Sequence, residues 1–213
     1  MKKSILIVLS LIIFSLTSCD LTTEPEITGT NTQAMAGEWV LDLFDEAGTH
    51  LAGQGLMTTT NTAANTASEM WLIDHDFFGM QFKASTDQNA KTMSSSKAAN
   101  IEFAPGDAPD PSVVVPLGET TESVSAVPEF VTISGGILSG AAHPPSGTTT
   151  DSMRFTITAI YRSEIYTASS YDISAETGDT TVVWGITSSS ELPDGPYVIQ
   201  GHRRTGFLED EPH

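Results

Sequence analysis

The residue types that could support chemistry are few, and most of them lie far apart in the sequence. Asp74, His75 and Asp76 form the most compact Asp/His group and are followed by two phenylalanines. Such a group could bind a metal ion or orient a general base. Adjacent side chains on a strand diverge, so these three could converge on one ion only within a turn. We interpret the group as a structural turn and expect no metal site here.

The hydroxyl-bearing residues do not show the pattern of a hydrolase. The sequence has no Gly-x-Ser-x-Gly nucleophile motif, and its many serines lie in stretches without an adjacent base. The acidic C-terminal residues LEDEPH could attract Ca²⁺, but they lack EF-hand spacing, and we interpret them as a solvated tail. The sequence therefore predicts no catalytic residue, no metal ligand and no cofactor. It favours a binding protein over an enzyme and leaves enzymatic activity undecided.

The only cysteine, Cys19, follows a secretory signal peptide formed by residues 1–18. Lys2 and Lys3 precede an apolar run that two serines interrupt and that is too short to span a membrane comfortably. Leu16-Thr17-Ser18-Cys19 resembles the lipobox of bacterial lipoproteins, which implies cleavage before Cys19 and acylation of its thiol. An ordinary signal peptide with an incidental cysteine is the alternative. A single cysteine excludes an intramolecular disulfide.

Charge restricts the partners of the exported chain. Removal of residues 1–18 leaves seven Lys and Arg against 27 Asp and Glu, a formal charge of −20. This acidity disfavours nucleic acid and anionic head groups, so membrane attachment would depend on the acyl chains of Cys19. We expect an exported, membrane-anchored lipoprotein of the cell envelope, located at the outer membrane. Residues 19–35, polar and rich in Thr, would form a flexible tether to a domain of residues 36–213.

Within that domain the dominant pattern is alternation of apolar and polar side chains, which indicates β-strands. The odd positions carry most of the apolar bulk in residues 37–44 and 154–161, and the even positions do so in residues 77–83. Turn residues such as Pro193-Asp194-Gly195 precede further strand candidates. The number and spacing of these segments predict an all-β fold, an antiparallel barrel of about eight strands.

Two adjacent arginines near the end of the chain indicate how such a barrel closes. By strand parity Arg203 lies with Tyr197 and Ile199, an apolar set, whereas Arg204 faces the other way. A buried guanidinium needs a partner, and the face of an indole can provide one. Trp39 points inward on the first strand, and first and last strands become neighbours when a sheet closes. We therefore predict that Arg203 stacks on Trp39 and closes one end of the barrel.

These residues carry a family resemblance. Gly37-x-Trp39 on a first strand, with an arginine on the last strand, is similar to the closing motif of lipocalins and the wider calycin group. AGEWVLDLF near the start and GHRRTGFLEDE at the end resemble the lipoproteins of Bacteroidetes-type bacteria described as lipid-binding putative hydrolase. The resemblance implies a calycin-like barrel and an apolar ligand, and it provides no catalytic motif. His202 departs from the pattern, since it stands where we expect an aromatic residue.

A barrel interior of Trp, Phe, Met and Ile could enclose one small apolar ligand. Our leading hypothesis is an envelope-anchored lipoprotein that binds a lipid or another apolar small molecule inside the barrel. The alternatives are a structural or partner-binding lipoprotein with a filled core and, ranked below it, an esterase-type hydrolase. Parity does not separate a pocket wall from packed core, so the lining candidates remain a set: Trp71, Phe78, Met80, Phe155, Ile157 and Trp184.

Overall fold

The computed structural model describes residues 29–211, which form an all-β fold. Residues 1–18, Cys19 and residues 20–28 lie outside the described residues, as do residues 212 and 213. The elements in chain order are β1 (Gly37–Phe44), β2 (His50–Asn61), β3 (Glu69–Asp74), β4 (Gln81–Asp87), β5 (Thr92–Ala99), β6 (Thr120–Val124), β7 (Phe130–Ala142), β8 (Thr150–Ile173), β9 (Thr180–Arg203) and a 3₁₀ helix (Leu208–Asp210).

Eight of the nine strands form a closed ring. Antiparallel pairing runs in the order β8, β7, β5, β4, β3, β2, β1, β9, and β9 then pairs with β8. β6 pairs with β8 outside the ring. The predicted antiparallel barrel of about eight strands is confirmed. Closure pairs the backbone groups that an open sheet would leave exposed at its edges.

Alternation along the strands turns one face of the ring inward. In β1 the odd positions predicted to carry the core, Trp39, Leu41 and Leu43, are buried. Six of the seven methionines in the sequence are at most 2 % exposed. The interior is therefore built from aromatic, aliphatic and thioether side chains, and its largest members are Trp39, Phe82, Phe155, Met35, Leu41, Met57, Met70, Leu72, Met80, Met93, Ile133 and Met153.

Strands β8 and β9 continue beyond the ring. Each has 24 residues, whereas β1 has eight. Ile157 pairs with Tyr197 and Ala159 with Asp194, so β9 contains an extra residue at this point. The sequence predicts Pro193-Asp194-Gly195 as a turn before a strand, whereas in the structure Pro193 and Asp194 pair with β8 and a bulge follows at Gly195 and Pro196 inside β9.

We call the distal part of this hairpin, residues 160–173 and 180–193, together with β6, the arm. A connecting segment, residues 101–119, crosses one face of it. Tyr171 donates its hydroxyl to the carbonyl of Val115 at 2.9 Å, and Val182 donates its N–H to the carbonyl of Pro111 at 2.8 Å. The arm is thus a small sheet covered on one face by a segment without strands.

No helix among residues 29–211 is long and apolar enough to cross a membrane.

Candidate binding site of the barrel

The end of the barrel at which β1 begins is closed by side chains. Trp39 and Arg203 occupy paired positions on β1 and β9, and the guanidinium carbon lies 4.8 Å from the indole centroid. Arg203 Nη1 donates to the carbonyl of Ala36 at 2.7 Å, and Nη2 lies 3.4 Å from Asp151 Oδ2. The structure thus brings together the two residues that strand parity places on the inner face.

Small and polar neighbours complete this end. A Cβ atom at Gly37 would lie 2.9 Å from Arg203 Nη1, so the glycine of Gly37-x-Trp39 leaves room for the guanidinium. The indole N–H of Trp39 donates to Thr59 Oγ1 at 2.9 Å, and that hydroxyl donates to the carbonyl of Met35 at 2.7 Å. Met35 is fully buried and belongs to a turn in the segment expected as a tether. The chain before β1 therefore packs beneath the closed end.

Loop residues cover the opposite rim, where the arm departs. The buried carboxylate of Asp74 accepts the backbone N–H groups of Asp76, Phe77 and Phe78 at 3.2, 3.0 and 2.6 Å. The Asp/His group is thus a turn that holds residues 75–80 over the rim. Phe77 and Phe78 pack against the core. Across residues 29–211, no three His, Cys, Asp or Glu side chains are grouped to hold a metal ion.

Polar side chains surround this rim on the solvent side. The rings of Phe78 and Tyr197 lie 5.6 Å apart, and Tyr197 donates its hydroxyl to Asp194 at 2.7 Å. That hydrogen bond, together with burial and the charge of Asp194, raises the pKa of Tyr197 to about 12. A cleft of about 550 Å³, lined in part by Asp45, Glu46 and Asp194, opens beside it. The rim is therefore apolar toward the interior and acidic toward solvent.

Four of the six predicted lining residues lie in the interior or at this rim. Met80, Phe155 and Ile157 are at most 1 % exposed, and Phe78 is partly buried at the rim. They pack against other side chains, and clefts of ligand size, about 550 and 380 Å³, open on the outside of the barrel. A ligand could enter the interior only if these side chains moved.

The other two candidates do not reach the interior. Met70 and Leu72 take the inward positions of β3, so Trp71 between them lies on the outer face, with Lys83 Nζ 5.2 Å from its ring. Trp184 lies in the arm, where it pairs with Ala168. Its indole N–H is buried and makes no hydrogen bond within the described chain.

Hydrolytic chemistry would require contact between a hydroxyl and an imidazole, and the shortest such contact among residues 29–211 lies at the rim. Thr58 Oγ1 lies 3.0 Å from His75 Nε2, on the exposed side of the loop at the rim. A nucleophile and base also need a third group that orients the base. Within residues 29–211 no carboxylate forms a hydrogen bond with the His75 ring, so this contact lacks that group.

The comparison with known families is consistent with the two terminal motifs. The family described as lipid-binding putative hydrolase matches residues 24–208, which include all nine strands. It is the family that AGEWVLDLF and GHRRTGFLEDE resemble. No curated protein matches the chain significantly.

Proposed function

The chain belongs to the family described as lipid-binding putative hydrolase, and from this premise we propose that it is an envelope-anchored lipoprotein that holds a lipid or another apolar small molecule inside its barrel. The methionine content of the interior carries this proposal. Six thioether side chains are buried in the interior core together with Trp39, Phe82 and Phe155. Methionine is unbranched and polarizable, so it adapts its shape to different apolar neighbours at low cost.

The rim beside the arm provides the route for entry. Phe78 is partly buried there and belongs to a loop held by hydrogen bonds to one carboxylate, that of Asp74. Movement of this loop would expose Met80, at the end of the loop, and Phe82, the next inward-facing residue of the chain. At the closed end, Arg203 and Trp39 are joined to the backbone of Ala36 and to Thr59. Ligand exchange therefore takes place at the arm side.

The test is a titration with monoacylglycerols, fatty acids and sterols. In a Trp71→Phe/Trp184→Phe variant, Trp39 is the only tryptophan, and its fluorescence reports on the interior. We expect a saturable change, affinity that grows with acyl length, and a negative heat-capacity change on binding. Phe78→Ala should speed association several-fold, and Leu51→Ala, an exposed residue of β2, should leave the rate unchanged.

A filled interior also favours the alternative of a structural or partner-binding lipoprotein. The same titration decides between them. If no lipid changes Trp39 fluorescence in a saturable way, the barrel is a packed scaffold and the alternative holds. Turnover of an ester that a single substitution at Thr58 or His75 abolishes would instead support the hydrolase part of the family description.

Membrane attachment is the second part of the proposal, and it depends on the lipobox-like residues that end at Cys19. Two or more acyl chains give stable anchoring, since each buried methylene contributes roughly 0.8 kcal/mol. Cys19→Ser should release the protein from the membrane fraction of cells that express it. Unchanged fractionation of this variant would contradict acylation at Cys19.

A further inference from the structure

Arg154 differs from the other arginines of the described chain. Arg162, Arg203 and Arg204 each lie within 4 Å of at least one carboxylate. Arg154 is exposed on the outer wall of β8, and among residues 29–211 no carboxylate lies within ion-pair distance of it. In a chain with a formal charge of −18, an arginine without such a partner is available for an anion.

Acidic side chains near Arg154 do not fill this role. Asp42, Asp45 and Glu46 line clefts that Arg154 also borders, yet none of them forms an ion pair with it. The Asp42 carboxylate accepts a backbone N–H and lies 3.4 Å from His50 Nε2. The Asp45 carboxylate accepts a hydrogen bond within its own turn.

The strand register places Arg154 between a polar and an apolar strip of the outer wall. Arg154 pairs with Gln200 of β9 on one side and with Gly136 of β7 on the other. A cleft of about 380 Å³ on the first side includes Gln200, His143 and His202. A mostly apolar cleft of about 290 Å³ lies on the other side, along residues 135–138. Both clefts are bordered by Arg154 and by Leu138.

We propose that this outer wall binds the carboxylate of a single-chain fatty acid, with Arg154 on the carboxylate and the chain along residues 135–138. A guanidinium matches a carboxylate with two parallel hydrogen bonds. Leu138, 64 % exposed, offers apolar surface to the methylenes. Lys91 borders the apolar cleft as well, but its ammonium group hydrogen-bonds to Ser139 Oγ. The two clefts together have the size of a small-ligand site.

This surface site is separate from the interior site proposed above. The acidic surface as a whole repels an anion, so binding here depends on the local guanidinium. Neutralising that one group should therefore remove most of the affinity. Binding here would make this one face an exception to the expectation that the acidity of the chain disfavours anionic head groups.

The experiment is a titration of the purified protein with decanoate. Calorimetry measures the affinity, and NMR of the backbone amides and of the Arg154 side chain locates the binding. We expect a saturable event that shifts the signals of Arg154, Leu138 and His202, distinct from any response of Trp39 in the interior. Arg154→Gln should weaken it at least tenfold. Lys83→Gln removes the same charge from the outer face of β4 and should leave it unchanged. Acetate should bind far more weakly than decanoate, and Leu138→Ser should reduce the gain that a longer chain gives.

Several outcomes would overturn the surface site. One is an affinity of Arg154→Gln for decanoate equal to that of the parent protein. Another is a loss of affinity in Lys83→Gln as large as that in Arg154→Gln, and the third is binding of acetate as tight as that of decanoate. The fluorescence of Trp39 tests binding in the interior independently. If decanoate alters Trp39 fluorescence but not the signals around Arg154, the interior site stands and the surface site is wrong. If the signals around Arg154 shift and no lipid changes Trp39 fluorescence, the surface site stands and the interior site is wrong.

Discussion

The barrel and the arm are built from the same two strands, yet they bury apolar side chains to very different extents. In the ring part of β8, Met153, Phe155 and Ile157 are at most 1 % exposed. In the arm part of the same strand, Ile165 and Ile173 are 39 and 65 % exposed. A closed ring encloses one face of every strand. In a two-stranded ribbon, by contrast, side chains are buried only where another segment covers them. Burial along β8 therefore follows closure of the sheet more than hydrophobicity of the residue.

Hydrogen exchange should show the largest difference between the two regions. Amides of residues 153–157 should exchange only on global unfolding, because the ring pairs both edges of every strand. Amides of residues 165–168 should exchange on the order of a hundredfold faster or more, through local opening of the arm. Measurement by NMR or mass spectrometry checks this directly. Uniform protection along β8 would mean that barrel and arm unfold as one unit.

Truncation of one apolar side chain in each region gives the next largest effect. Phe155→Ala removes a fully buried ring and should lower the free energy of unfolding by about 3 to 5 kcal/mol. Ile173→Ala, on the same strand in the arm, should stay within about 0.5 kcal/mol because its side chain is already exposed. Denaturant unfolding measures both. A loss below about 1 kcal/mol for Phe155→Ala would show that the interior is loosely packed.

The closed end of the barrel should respond to a smaller but clear degree. Arg203→Ala removes the stacking on Trp39 and the hydrogen bond to Ala36, and we expect a loss of about 1 to 3 kcal/mol. Arg203→Lys keeps the charge without the planar guanidinium and should recover only part of that loss. Unfolding curves of the two variants provide the measurement. Full recovery by lysine would show that charge alone matters at this position.

The neighbouring Arg204 should give the smallest effect, with a distinct pH dependence. Arg204 lies 2.7 Å from Glu38 and 2.6 Å from Glu211 on the solvent side. The hydrogen bond from Arg204 lowers the pKa of Glu211. The contribution of the pair is therefore fully present above the unfolded pKa of Glu, about 4.3, and is lost as pH falls through the lower folded pKa.

Thermal unfolding of Arg204→Gln and the parent protein tests this. We expect a small Tm difference at pH 7 that decreases with added salt and disappears in acid below both pKa values. A difference that persists at the lowest pH, or one as large as that of Arg203→Ala, would contradict it. Strand parity predicts that Arg204 faces solvent, but it gives no sign of the two carboxylates that meet it.

The barrel and its closed end could be predicted because both depend on short-range properties of strands. Alternation in residues 37–44 and 154–161 fixes which side chains point inward, and parity alone places Trp39 and Arg203 on the same face. Residues 58–61 and 92–96 are mostly Thr, Ser and Asn, so alternation of apolar and polar side chains does not predict strands there. They form parts of β2 and β5, since a strand paired on both sides in a ring tolerates Thr and Ser.

The position of the lining residues and the arm depended on long-range register, which the sequence does not display. Residues 70–73 are apolar at every position, so alternation gives no sign that Met70 and Leu72 face inward and Trp71 outward. The residues around Trp184 have the same ambiguity. The arm exists because β8 and β9 continue to pair beyond the ring, and only the pairing itself shows that.

The extent to which the six buried methionines become oxidised would measure how often the barrel opens. A thioether that becomes a sulfoxide turns from apolar to polar, and the reaction needs access to the sulfur. Because these sulfur atoms are enclosed at rest, peroxide should oxidise them only during opening events. If the proposed interior binding holds, every exchange of ligand would carry a risk of oxidative damage to the core. A closed resting state therefore protects the interior methionines chemically as well as excluding water from them.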